Sequence, residues 1–252
     1  MELSLVTILL LIAIGIASGI INVLAGGGSN LTLPVLMVMG MPAEIANATN
    51  RLGIFLQSIT GVLGFKSKGK LPTDDIGPIL LPTLIGGLCG AIAAAFSPSW
   101  VLKPLLLGAM LTMALIILLR PSVVCPPPGT QAHKVSQRRS SWWWLGIAGF
   151  YGGFVQAGVG FILLGALAGS LRYDLIRANA LKLICSLAFT AVALAVFISQ
   201  DQVLWLPGLI LGAGAMIGAR IGVHFAVSVK QQTLKWFLFV MTLCGCIAAL
   251  FF

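Results

Sequence analysis

The chain has 252 residues, of which 59% are hydrophobic and only 8% charged, and it carries a formal net charge of +9. Soluble globular domains carry about 25% charged residues, so these proportions exclude an ordinary soluble protein, and the mean hydropathy of +1.07 places the chain in lipid. In a soluble chain so much positive charge would suggest nucleic acid. Here the basic residues gather at the ends of apolar segments, a topology signal that needs no nucleic-acid partner.

Met1-Glu2 leads into the apolar segment 3–24 without a basic leader, which reads as a retained first helix rather than a cleaved signal peptide. Further long apolar segments run over 45–65, 76–96, 101–119, 142–157, 175–198, 204–228 and 232–252. A crossing needs about 20 apolar residues for ~30 Å of hydrocarbon, so the chain has room for about eight crossings and for no soluble domain. Two shorter stretches, 30–39 and 160–170, follow glycine-rich breaks and read as half-helices, each reaching about half the hydrocarbon thickness. The polar stretch 120–141 contains Cys125-Pro-Pro-Pro-Gly129, then His133, Lys134, Arg138 and Arg139. It is the one linker, and it separates a first transmembrane repeat, 1–119, from a second, 142–252. The Trp142-Trp143-Trp144 triplet beside it suits an interfacial aromatic belt.

The two parts echo one another. Gly15-Ile-Ala17 matches Gly146-Ile-Ala148, and the breaks Ala25-Gly-Gly-Gly-Ser29 and Gln156-Ala-Gly-Val-Gly160 fall at the same offset. Ala46-Asn-Ala48-Thr49-Asn50 matches Ala178-Asn-Ala180-Leu181-Lys182, Gly86-x3-Gly90 matches Gly214-x3-Gly218, and Leu102-Lys103 matches Leu234-Lys235. Basic residues then orient the copies. Lys66, Lys68, Lys70 and the linker mark the cytoplasmic side of the first, whereas the equivalent loop of the second, Ser199 to Gln202, has no basic residue. Arg172, Arg177 and Lys230 mark the opposite ends there. The expected fold is therefore all-α and polytopic, two inverted-topology repeats each with a glycine-broken re-entrant or half-helix, with the linker cytoplasmic and both termini outside.

Transporters of this architecture place substrate near the midplane, between the repeats. Free N–H groups at the start of a half-helix carry partial positive charge and suit an anion. Gly26, Gly27 and Gly28 would let a ligand approach the backbone of one break, and Gly158 and Gly160 that of the other. Close helix packing alone would account for Gly86, Gly90, Gly214 and Gly218. Each copy also brings amides and one cation to equivalent places, Asn47, Thr49, Asn50 and Arg51 in the first, Asn179 and Lys182 in the second. A cation inside an apolar segment is costly, and it is either functional, paired or snorkelling. Arg220 and His224 lie one turn apart near a cytoplasmic end, where snorkelling is expected.

All six carboxylates, Glu2, Glu44, Asp74, Asp75, Asp174 and Asp201, fall at segment ends or in loops. A cation pathway or carboxylate proton relay normally needs one at mid-membrane, so the interior favours an anionic substrate. The five cysteines include no CxxC pair, which argues against a zinc site or disulfide framework. There is no Ser/His/Asp or Cys/His set, and the glycine breaks lack the strand context of a nucleotide-binding fingerprint. Neither enzyme chemistry nor a cofactor is expected.

At Gly19 to Pro34, with Ala25-Gly26-Gly27-Gly28 leading into Leu31-x-Leu33-Pro34-Val-Leu36, and at Ala46-x-Ala48-Thr49-Asn50 with their second-half echoes, the sequence resembles the TauE/SafE family of sulfite exporters. The second break, Gln156-Ala-Gly-Val-Gly160, departs from the glycine-rich pattern. The resemblance implies a cytoplasmic (inner) membrane transporter of small sulfur-containing anions such as sulfite, sulfonates or related organic acids. The expected site holds an anion between the breaks through backbone N–H groups, Asn50, Gln156 and Asn179, with charge from Arg51 and Lys182 and export by alternating access. The alternatives are an anion channel and a membrane structural or assembly factor, with a redox enzyme using Cys185 or Cys244 more distant. Expected partners are a small anionic substrate and the lipid bilayer, with homo-oligomerisation left open.

Overall fold

The computed structural model describes residues 4–24, 26–98, 100–106, 108, 112 and 132–228. Over these residues the chain is helical, with no strand. Its helices are α1 Leu5–Leu24, α2 Ser29–Val38, α3 Ala43–Ser67, α4 Ile76–Ala95, the start of α5 at 100–106, α6 Arg139–Phe154, α7 Val159–Leu164, α8 Leu175–Ser199 and α9 Trp205–Ser228. A π-helical turn, Gly165–Ser170, continues α7. The predicted segment 232–252, most of 101–119, the linker up to 131, and Cys125, Cys244 and Cys246 lie outside the described residues. Boundaries differ modestly from expectation: α6 starts at Arg139, inside the predicted linker, and ends at Phe154 rather than at 157.

Among the described residues, α1, α4, α8 and α9 are long and apolar enough to cross a membrane. α3 has 25 residues but carries Glu44, Arg51 and a run of amides. The distribution of side chains is that of a polytopic membrane protein: Leu5, Leu81, Ile85, Ile147, Leu209 and Ile217 are exposed, whereas Arg51 and Lys182 are fully buried. Trp142, Trp143 and Trp144 are exposed at the start of α6.

Two glycine seams bring helices to backbone contact. In the first, α1 lies on α9: a Cβ on Gly15 would meet the carbonyl of Leu211, on Gly19 that of Ala215, on Gly214 that of Ile12 and on Gly218 that of Ile16. In the second, α4 lies on α6: a Cβ on Gly86 would meet the carbonyl of Gly146, on Gly90 that of Phe150, on Gly149 that of Thr83 and on Gly153 that of Gly87. Each half's first helix thus packs on the other half's fourth, through small residues, as helices without a hydrophobic drive between them do. By contact, the counterparts of Gly15 and Gly19 are Gly149 and Gly153, one turn on from the sequence match at Gly146. α1 continues past Gly19 to Leu24, whereas α6 ends one residue after Gly153. The two halves of the chain agree at the seams and differ by about a turn at the breaks.

α3 and α8 cross between the seams and run antiparallel, since Arg51 lies over the Phe197 ring, 5.5 Å from its centroid, while Gly61 faces Leu183. Buried apolar residues form two clusters. One gathers Phe65, Ile79, Val135, Leu145, Tyr173 and Leu175, the other Met41, Ala43, Ala95, Phe197 and Val203.

Because the seam glycines leave no room for a side chain, Gly90→Ala should lower stability by about 1–3 kcal/mol through overpacking. Gly77→Ala, whose Cβ meets nothing within 4 Å, should be neutral. Thermal unfolding of both variants in the same detergent checks the contrast.

Candidate functional site

Both breaks are helix stops made in the same way. Gly26 (φ +85°) ends α1 in the left-handed conformation, its N–H donating to the Ile21 carbonyl at 3.1 Å. Gln156 (φ +67°) follows α6 in that conformation, its N–H donating to the Tyr151 carbonyl at 3.2 Å. These i to i+5 bonds are the usual closure of a helix C-terminus. Gln156 lacks glycine's freedom there, and a non-glycine residue in this region is strained and persists only when its surroundings hold it. The breaks then meet. Gly160 N–H donates to the Gly26 carbonyl at 3.2 Å, and a Cβ on either glycine would strike the other's backbone.

A helix that stops inside a membrane leaves its last carbonyls without partners, and those carbonyls carry the negative end of the helix dipole. Two cations answer this need reciprocally. Arg51, on α3, donates through Nη1 to the Gly152 carbonyl and to Gln156 Oε1, and through Nη2 to the carbonyls of Gly153 at 2.7 Å and Phe154 at 3.4 Å. It caps α6. Lys182, on α8, donates to the carbonyls of Asn22 at 2.8 Å and Val23 at 3.0 Å, and to Asn179 Oδ1 at 2.7 Å. It caps α1. Asn47 Nδ2 adds a 3.1 Å bond to the Phe154 carbonyl.

The predicted site residues therefore converge, but the hydrogen bonds of the two cations go to the protein. All three Lys182 donors are used, whereas Arg51 Nε has no partner. Asn50 serves its own half: its Oδ1 accepts from Thr32 Oγ1 at 2.7 Å and its Nδ2 donates to Ser29 Oγ at 3.1 Å, pinning the start of α2 to α3. Gly27 faces the Phe161 ring and Gly28 the Ser18 carbonyl, while Gly158 (φ +72°) immediately precedes α7. Buried polar atoms without a partner ring the breaks, namely Asn22 Nδ2, Asn30 Oδ1 and Asn179 Nδ2. None of the named partners of either cation is a carboxylate. Of the acidic residues described, Glu44 lies in the first turn of α3 and Asp75, Asp174 and Asp201 flank helix ends. Arg220 and His224 are exposed on α9 and, with Ile221, line a surface depression.

Sequence reasoning missed Gln57, Ser58 and Thr190, all fully buried polar residues on α3 and α8. The available signal was their spacing, about two turns after Asn50, Arg51 and Lys182 on otherwise apolar segments.

Arg51→Ala would leave at least two buried carbonyls and Gln156 unsatisfied, at about 1–3 kcal/mol each, so a loss above ~3 kcal/mol is expected. Arg51→Lys keeps the charge but not the planar fork, and should recover part of that loss. Unfolding midpoints of the two variants in detergent check this order.

The chain matches the family model described as sulfite exporter TauE/SafE over residues 11–249. It is 27% identical to a probable membrane transporter protein of Haemophilus influenzae, the match covering 93% of this chain and 90% of that one. It is 28% identical to the probable membrane transporter protein ORF9 of a Sinorhizobium species, over 90% and 85% of the two chains. It is 26% identical to the probable membrane transporter protein YfcA of Escherichia coli K12, over 88% and 81%.

Proposed function

Because the chain belongs to the sulfite exporter TauE/SafE family of membrane transporters, we propose that it exports a small sulfur-containing anion, sulfite, a sulfonate or a related organic acid, across the inner membrane by alternating access. The observation that carries this reading is the meeting of the two broken helices beside two buried cations whose hydrogen-bond partners are all neutral oxygens. Such a centre carries positive charge and attracts an anion. Arg51 and Lys182 act chiefly through their field, and direct contact falls to Arg51 Nε, the Asn179 and Asn22 amides, and the backbone N–H groups of Gly27, Gly28 and Gly158.

The inverted repeat finds support in the reciprocal seams, in the antiparallel crossing of α3 and α8, and in each cation capping the other half's helix. With the lysines of 66–70 and the linker on the cytoplasmic side, α3 runs inward and α8 outward. Rocking of one seam pair against the other would open the centre to each side in turn.

An inside-negative potential drives a monovalent anion outward by ~2.3 kcal/mol per 100 mV, a ratio of about 50-fold, so export requires no coupling ion. In proteoliposomes loaded with sulfite, an imposed inside-negative diffusion potential should accelerate efflux, and reversing it should slow efflux. Efflux indifferent to the potential would sink the uniport mechanism; a flux at channel rates would favour a pore over a carrier.

A further inference from the structure

The crossing of α3 and α8 holds polar groups that neither the helix caps nor the break use. Gln57 and Ser58 on α3 and Thr190 on α8 are all fully buried. The Gln57 amide oxygen and nitrogen, Ser58 Oγ and Thr190 Oγ1 have no hydrogen-bond partner. That is unusual for hydroxyls on helices, which ordinarily return to a carbonyl one turn back. Others in this chain do so: Thr60 Oγ1 bonds the Leu56 carbonyl at 3.1 Å, Thr83 Oγ1 that of Leu80 at 2.8 Å and Ser199 Oγ that of Val196 at 2.7 Å.

Register brings these groups together. Arg51 meets Phe197, and Gly61 meets Leu183, so the antiparallel pairing places residue 58 across from the turn of α8 that leads into Thr190, with the two hydroxyls about one turn apart in level. Ser58 is one turn from Gly61 on the same face, and Thr190 two turns from Leu183 on the same face. The same region separates the two apolar clusters. On α3 the buried members of one cluster stop at Leu52 and the other is represented by Phe65, while on α8 one ends at Phe189 and the other starts at Ala193.

We propose that Ser58 and Thr190, with the Gln57 amide, form a substrate contact at this waist, a neutral donor set for the oxygens of the transported oxyanion; the inference rests on the transport reading above. Hydroxyl and amide N–H groups bind an acceptor-rich anion without the deep trap of a direct ion pair. With Arg51 and Lys182 supplying the field from either side, an anion held here is bound well enough to enter and weakly enough to leave. The apolar clusters on either side exclude water from it.

The test compares wild type with the Ser58→Ala/Thr190→Val double variant, reading thermal stability without ligand, stabilisation by sulfite, and the half-saturating sulfite concentration for efflux from proteoliposomes. The variant should keep or exceed the wild-type midpoint without ligand, because it removes unpartnered buried hydroxyls, and its half-saturating concentration should rise by at least about tenfold. The swap Ser58→Thr/Thr190→Ser, which keeps both hydroxyls, should restore most of the response. An unchanged half-saturating concentration overturns the inference and leaves transport standing. So does a double variant that fails to assemble, since the hydroxyls would then be bonded within the protein. A wild-type protein that neither binds nor moves sulfite removes the transport reading and this inference with it.

Discussion

Ending a helix within hydrocarbon is the constraint from which the centre of this protein follows. Water cannot reach the last carbonyls, so the protein must supply donors, and the donors that suit a helix C-terminus best are cations. Arg51 and Lys182 supply them, and each reaches across to the other half of the chain to do so. Their burial, costly in isolation, is matched by two helix ends that would be costly without them. The two cations buried at the centre are thus accounted for by the closing of two helices.

The seams make this arrangement geometrically attainable. A long side chain can span from α3 to the end of α6 only if the neighbouring helices lie close, and the glycines at 86, 90, 149 and 153 let carbonyls approach where a Cβ would collide. The same spacing on α1 and α9 does this for Lys182. At the second break, strain falls on Gln156, which adopts a backbone conformation that glycine takes freely and whose side chain is tied to Arg51. The guanidinium therefore holds both the helix end and the residue that turns the chain away from it.

Much of this was legible in the sequence. Hydropathy located the described long helices, because lipid imposes length and apolarity that few soluble sequences satisfy, and the glycine breaks fell where α1 and α6 stop. The pairing of Arg51 with Gln156 and of Lys182 with Asn179 joins residues the sequence had marked. The use of the cations as helix caps was not legible, since nothing local to residue 51 says that its partners are the carbonyls of Gly152 and Gly153. Nor was the register of α1 against α6: Gly15-Ile-Ala17 and Gly146-Ile-Ala148 match as letters, but contact is governed by which face meets a neighbour, and that assigns Gly149. Gln57, Ser58 and Thr190 escaped because single polar residues at helical spacing look like ordinary interruptions until the crossing shows α3 and α8 packed against each other there.

The reciprocal caps also bear on how the protein is made. Lys182 lies 160 residues beyond Asn22, whose carbonyl it caps. At a synthesis rate of roughly 5–20 residues per second, the end of α1 waits on the order of ten to thirty seconds for its donor. During that interval a helix with open carbonyls is already committed to the bilayer, and the nascent first half needs shelter from the insertion machinery until α8 arrives. Expression, beside finished stability, is therefore a place where a weakened Lys182 or a slow second half would be felt.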